Sequence, residues 1–206
     1  MLNYCERPYL GHMKNYKMID NIKAEVFEYI DAGDSKYYVE RLENTIRVSE
    51  IDCDEHKVGC QACKKYAMNL ACPPYSPYFP EYVRGMRTAK VICFRIPLEQ
   101  FSQISMEERY GTAFKIVRGL LTVELLRYRK EGHLVAGSGY CLACDQCAIE
   151  LGNAKCKHPS IRIYSLESLG VSVVSLMEKT FNFTLEWSGC DSAADFVSAI
   201  GAVFYK

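Results

Sequence analysis

Eleven cysteines are spread unevenly along 206 residues, and seven of them fall into two close sets. Cys141, Cys144 and Cys147 form C-x2-C-x2-C, and Cys156 follows after eight intervening residues in CKHP. Cys60 and Cys63 form C-x2-C, with Cys72 again after eight residues, in CPP. Thiols this close can make a disulfide knot, a zinc site, a redox dithiol or an iron–sulfur cluster. Composition removes the first. The chain is long enough, and at 49% hydrophobic residues apolar enough, to build a core without covalent staples. An odd cysteine total cannot all pair within one chain. The N-terminal stretch shows no basic region followed by an apolar one, so a cytoplasmic, reducing setting is expected, where clustered cysteines read as metal ligands or catalytic groups.

Spacings of three let successive thiolates turn toward one centre, and three in one short loop suit the corners of a cubane better than a single tetrahedral ion. Bacterial ferredoxins use the same C-x2-C-x2-C run. A [4Fe–4S] cluster is therefore expected on Cys141, Cys144, Cys147 and Cys156. Zinc is the competitor, since its structural sites join C-x2-C pairs; a thioredoxin-like dithiol would need to open a helix within a βαβ unit, which the surrounding pattern lacks. Cys60, Cys63 and Cys72 are expected to hold a second iron–sulfur cluster, with zinc, or one site shared with the other set, as alternatives. Three thiols leave a fourth position for Cys53, Cys5, Cys190, His56, an exchanged cysteine or an external group. An open iron there would act as a Lewis acid. The isolated Cys5, Cys53, Cys93 and Cys190 read as small hydrophobes, Cys93 most clearly within VICFRI.

Lys64, Lys65, Lys155, Lys157 and His158 lie beside the motifs and read as a solvated face. Glu55, Glu81 and Glu150 read as surface carboxylates, leaving no evident general acid or base. Phosphate-loop, dinucleotide, nucleophile-elbow and zinc-protease motifs are absent, as is the C-x3-C-x2-C of radical S-adenosylmethionine enzymes. Twenty-five basic residues balance twenty-five acidic ones, so neither nucleic acid nor a membrane surface is expected as a partner. A redox protein is. An electron-transfer or redox accessory role leads, as a possible component of an oxidoreductase; a zinc-stapled interaction module and an enzyme with an open iron are the alternatives. Composition leaves the oligomeric state open.

The elements that must position these thiols are those of an α+β fold: one domain over residues 1–206, a mixed or antiparallel sheet with flanking helices and two cysteine-rich metal-binding loops. Ile19, Ile22, Val26 and Ile30 predict a surface helix over residues 19–32. Alternation in KYYVERLENTIRVSEI predicts a hairpin broken at Glu43-Asn44. Gly59 and Pro73, Pro74, Pro77 and Pro80 predict a rigid loop over 59–80, followed by a short helix in EYVRGMRTAK and a buried strand in KVICFRIPL. Residues 106–130 predict a long amphipathic helix with Arg127, Arg129 and Lys130 in its last turn. HLVAG predicts a short strand. SLESLGVSVVSLMEKTFN predicts a helical turn, a break at Gly170 and then a strand start or another helix, and FTLEWS with FVSAIGAVFY predicts two edge strands, the tail being equally readable as helix.

CQACKKY, CPPYSP, CLACDQCA, CKHPS and SLESLGVSV together resemble a family of predicted metal-binding proteins, domain of unknown function 2284, over roughly residues 50–175. The resemblance implies metal binding by Cys60, Cys63, Cys72, Cys141, Cys144, Cys147 and Cys156, and a setting in anaerobic bacteria and archaea. It implies no particular metal and no assigned reaction.

Overall fold

The computed structural model describes residues 15–19, 22–30, 35–185 and 194–206. The first described residues form strands: β1 (Asn15–Ile19), β2 (Ile22–Ile30) and β3 (Lys36–Arg47). The helix expected over residues 19–32 is thus replaced, wherever those residues are described, by paired strands in antiparallel register, Asn15 with Val26 and Glu28 with Tyr38. Its three-and-four spacing competed with a run of β-branched and aromatic residues, Val26, Phe27, Tyr29 and Ile30, that suits a pleated surface. Phe27 packs edge-on to Phe94 at 5.9 Å between ring centres, a contact no local pattern announces. Nor does β3 break. Glu43 and Asn44 pair with Ile92 and Val91 in an uninterrupted ladder.

A loop with one helical turn, α1 (Val58–Gln61), carries the first cysteine set into α2 (Phe79–Tyr82). The helix expected from EYVRGMRTAK is only the end of α2, because Gly85 turns at φ +82° and β4 (Thr88–Pro97) begins at once. Next come α3 (Met106–Lys130), as expected, and β5 (Leu134–Gly137). The second cysteine set lies between β5 and the short β6 (Tyr164–Ser165). Gly170, at φ +95°, separates a turn from α4 (Val173–Phe181), and the chain ends in β7 (Phe196–Tyr205).

The seven strands make one sheet in the order β1-β2-β3-β4-β7-β5-β6, antiparallel except for β5 with β6. β7 lies in the interior of the sheet rather than at its edge. A strand covered on both faces reads as a continuous apolar run, which is why FVSAIGAVFY lacked alternation. No strand occurs at 183–185, and the rest of FTLEWS lies outside the described residues. α3 covers one face over Ile92, Leu121, Leu125 and Val203; α4 and the turn before it cover the other over Leu42, Leu166, Leu176 and Phe204. None of the seven clustered cysteines belongs to either core. Among the described residues no helix is long and apolar enough to cross a membrane.

Leu125 is fully buried, and its side chain reaches toward the β5 and β7 backbones at Gly137 and Gly201. Leu125→Ala is expected to lower the unfolding free energy by about 2–5 kcal/mol, since a cavity between a helix and a sheet relaxes poorly. Urea denaturation measures this directly.

Candidate metal centre

The second cysteine loop leaves the sheet at Gly137 and returns at β6, closed by the Leu166 N–H donating to the Gly137 carbonyl at 2.9 Å. From α3, Arg118 donates through Nε to the Ser138 carbonyl at 3.1 Å and through a second nitrogen to the Tyr140 carbonyl. Its guanidinium lies 4.3 Å from the Tyr140 ring centre. Arg129, one helix end away, donates to the Arg162 and Pro159 carbonyls at 2.6 and 3.1 Å. The long helix therefore fixes both ends of this loop through charged donors.

Within it Cys141, Cys144, Cys147 and Cys156 line one small pocket with Leu70 and Arg162, partly open to solvent. The Leu70 N–H donates to Cys147 Sγ at 3.3 Å. Burial pushes the Cys144 thiol up, and the neighbouring Cys156, Cys141 and Cys147 push it further, with Lys157 opposing. Thiolates gathered this way repel one another until a cation joins them.

In the first set, Cys60 belongs to α1, Cys63 is exposed and Cys72 is buried. Burial raises the Cys72 thiol to about 12, followed by the charges of Cys63, Cys60, Cys141 and Cys147. Cys72 thus feels both sets, and the two groups adjoin. Cys60 Sγ donates to the Glu167 carbonyl at 3.5 Å. The loop is braced by Lys57, whose ammonium donates to the Ser76 and Pro77 carbonyls at 2.9 Å each. Ser76 Oγ in turn donates to the Ser168 carbonyl at 2.5 Å.

Lys65 and Glu150, read from sequence as solvated surface, are instead an ion pair of 3.0 Å that joins the two cysteine loops. The Lys65 ammonium also lies 5.2 Å from the Tyr140 ring centre. Of the other candidates, Cys53 sits 3.4 Å from the Tyr78 hydroxyl and forms an isolated bridge with Val171, apart from the thiol sets. The His56 N–H bonds Asp54. Cys93 is fully buried in the core as expected, and Cys5 and Cys190 lie outside the described residues.

Among the described residues no group of three or more His, Cys, Asp or Glu side chains is placed so that it could hold a metal ion. Seven soft sulfur donors in two adjoining groups, with an N–H donated to one sulfur, fit an iron–sulfur cluster or zinc by the chemistry of the donor set.

Sequence reasoning missed two charged groups here. Arg118 is buried although it sits on a helix that also carries many exposed cations. Glu167 Oε2 is shut off from solvent and has no hydrogen-bond partner. Burial pushes the Glu167 carboxyl up, countered by hydrogen bonds from its own backbone and Ser165 and by the Arg118 charge. The one local signal was its place between Leu166 and Leu169, both fully buried.

Residues 44–205 match a family described as predicted metal-binding protein (DUF2284). No curated protein and no solved structure matches the chain.

Proposed function

Because the chain belongs to the predicted metal-binding protein family (DUF2284), we propose that it is an iron–sulfur protein, holding one or two [4Fe–4S] clusters, that passes electrons to or from a partner in the cytoplasm. The observation that carries this reading is the single pocket lined by Cys141, Cys144, Cys147 and Cys156, with the Leu70 N–H on Cys147 Sγ. Four cysteines bordering one pocket supply the four thiolates that a [4Fe–4S] cluster takes, and an N–H donated to a ligand sulfur raises a cluster's reduction potential. When bound, such a cluster supplies a one-electron couple. The chain's own residues hold it, shade it and set its charge environment: Arg162 lines the pocket and Lys157 bears on Cys144.

A redox partner fits the surface around the pocket. Tyr66, Met68, Tyr75, Tyr140, Leu151 and Ile161 are exposed, and all lie on the two cysteine loops. Apolar groups there let a partner approach closely and exclude water. Protein purified without oxygen is expected to be brown, to carry iron and sulfide, and to bleach in the visible on adding dithionite. Colourless protein with stoichiometric zinc after anaerobic reconstitution with iron and sulfide would instead favour a zinc-stapled interaction module.

A further inference from the structure

The two cysteine loops carry a charge that the rest of the chain does not share. Over the whole sequence 25 basic residues balance 25 acidic ones. Residues 58–78 hold Lys64 and Lys65 and no Asp or Glu, and residues 138–163 hold Lys155, Lys157 and Arg162 against Asp145 and Glu150. The carboxylates nearest in sequence to the first loop, Asp54, Glu55 and Glu81, precede α1 or lie on α2. The loops are therefore basic, and the remainder of the chain carries the compensating acidic excess. Pairing sharpens the difference. Glu150 is taken by Lys65 at 3.0 Å, whereas Lys64, Lys155 and Lys157 are exposed and make no ion pair among the described residues. Asp145 is the one exposed carboxylate on either loop.

The same loops bear exposed apolar groups, and cation and apolar side chain are interleaved along them. Lys64 and Lys65 precede Tyr66 and Met68, and Lys155 and Lys157 stand between Leu151 and Ile161. The two loops are in contact: Lys65 crosses to Glu150 and lies 5.2 Å from the Tyr140 ring centre, and the Leu70 N–H reaches Cys147 Sγ at 3.3 Å. Exposed tyrosine, methionine and leucine supply the contact area typical of a protein interface. Unpaired charge of one sign beside them steers and selects what approaches, attracting the opposite sign and repelling its own.

We propose that the surface formed by the two cysteine loops docks an acidic protein, whose carboxylates meet Lys64, Lys155 and Lys157 while its apolar centre covers the exposed tyrosines and aliphatic groups between them. This rests on the reading that a redox partner approaches the chain at these loops, and it adds the sign of that partner's contact face. The balanced charge of the whole chain supplies no such preference; the loops alone do. Attraction between exposed charges is screened by salt, so the encounter is tightest at low ionic strength.

The test measures association of the full chain, reconstituted without oxygen, with three probes over a range of salt: flavodoxin as a small acidic redox protein, a basic c-type cytochrome, and polyuridylate. Flavodoxin is expected to bind, more weakly as salt is raised, and the other two to bind less well. The triple variant Lys64→Glu/Lys155→Glu/Lys157→Glu is expected to weaken flavodoxin binding about tenfold or more, and the matching Gln variant to weaken it less. Arg84→Glu/Lys115→Glu/Lys130→Glu reverses three exposed cations off the loops and is expected to change it little; circular dichroism checks that every variant is folded. No flavodoxin binding at low salt, an equal loss in the two Glu variants, or binding of the cytochrome or polyuridylate as tight as that of flavodoxin overturns the inference. Electron transfer is read separately, from the flavin colour change as one electron leaves reduced flavodoxin and bleaches the chain's visible absorbance. Salt-sensitive binding without that transfer keeps the docking surface and removes the electron-transfer reading; transfer that neither salt nor the loop variant alters keeps that reading and removes the docking surface.

Discussion

Serine at both Cys144 and Cys156 is expected to empty the second loop of metal while leaving the sheet and its two helical layers folded. Neither residue belongs to a core cluster, and the segments that carry them make no ladder with the sheet. With one cluster per thiol set, reconstituted protein should hold about half the iron of the unsubstituted chain. It should also lose the stability that ligand binding adds, about 4 kcal/mol where free ligand exceeds the dissociation constant a thousandfold. For a domain of this size that is roughly 10 °C in thermal midpoint. Cys93→Ser is the matching control. That thiol is fully buried in the sheet, so its replacement costs stability through an awkwardly buried hydroxyl, about 1–3 kcal/mol, and leaves the metal count alone. If the two outcomes were exchanged, the assignment of clustered cysteines to metal and isolated ones to packing would be wrong.

The contrast between these thiols was legible in the sequence because spacing alone separates them. C-x2-C needs no tertiary information to be noticed, and a cysteine within VICFRI sits in a strand by its neighbours. Where elements are long and consistent the same holds for the fold: residues 106–130 form α3 with the expected bounds. The failures have different causes. Residues 19–30 carried two periodicities at once, and the one that won was decided by Val39 and Phe94 on other strands, which give Phe27 its place. The tail was misplaced for the opposite reason. Its apolar run had no periodicity, because α3 presses on one face of β7 and the turn before α4 on the other.

The site was legible as a set of donors and illegible as an arrangement. Nothing in CKKY announces that Lys65 will cross to Glu150, or in SLESLG that the Glu167 backbone carbonyl will accept from Cys60 Sγ. Both results require the two loops to meet. Three contacts hold that meeting: the Lys65–Glu150 pair, the Leu70 N–H on Cys147 Sγ, and the Asn69 side-chain amide on the Cys141 carbonyl at 3.5 Å. The loops are consequently coupled, and disturbing the seat of one displaces ligands of both.

Gly170→Ala tests that seat with a single methyl group. Gly170 adopts φ +95°, a conformation that costs an L-residue about 1–2 kcal/mol. An added Cβ would stand 2.2 Å from the Asp54 carbonyl oxygen, which is backbone and cannot rotate away. Overpacking of this kind costs about 1–3 kcal/mol more. The same junction holds the Asp54 N–H on the Gly170 carbonyl at 2.7 Å, the Ser172 N–H on the Asp52 carbonyl at 2.9 Å and the Cys53–Val171 bridge. The expected loss is therefore roughly 2–5 kcal/mol in urea unfolding, with residues 52–60 pushed off the 167–170 turn. Because Cys60 is seated on that turn, the first thiol group should lose metal well before the second. Gly152→Ala separates strain from collision: it has φ +76° but open space where the Cβ would go. It should cost only the conformational part, about 1 kcal/mol, and spare both sites. Equal effects at the two glycines would mean that close backbone approach at Gly170 does not position Cys60.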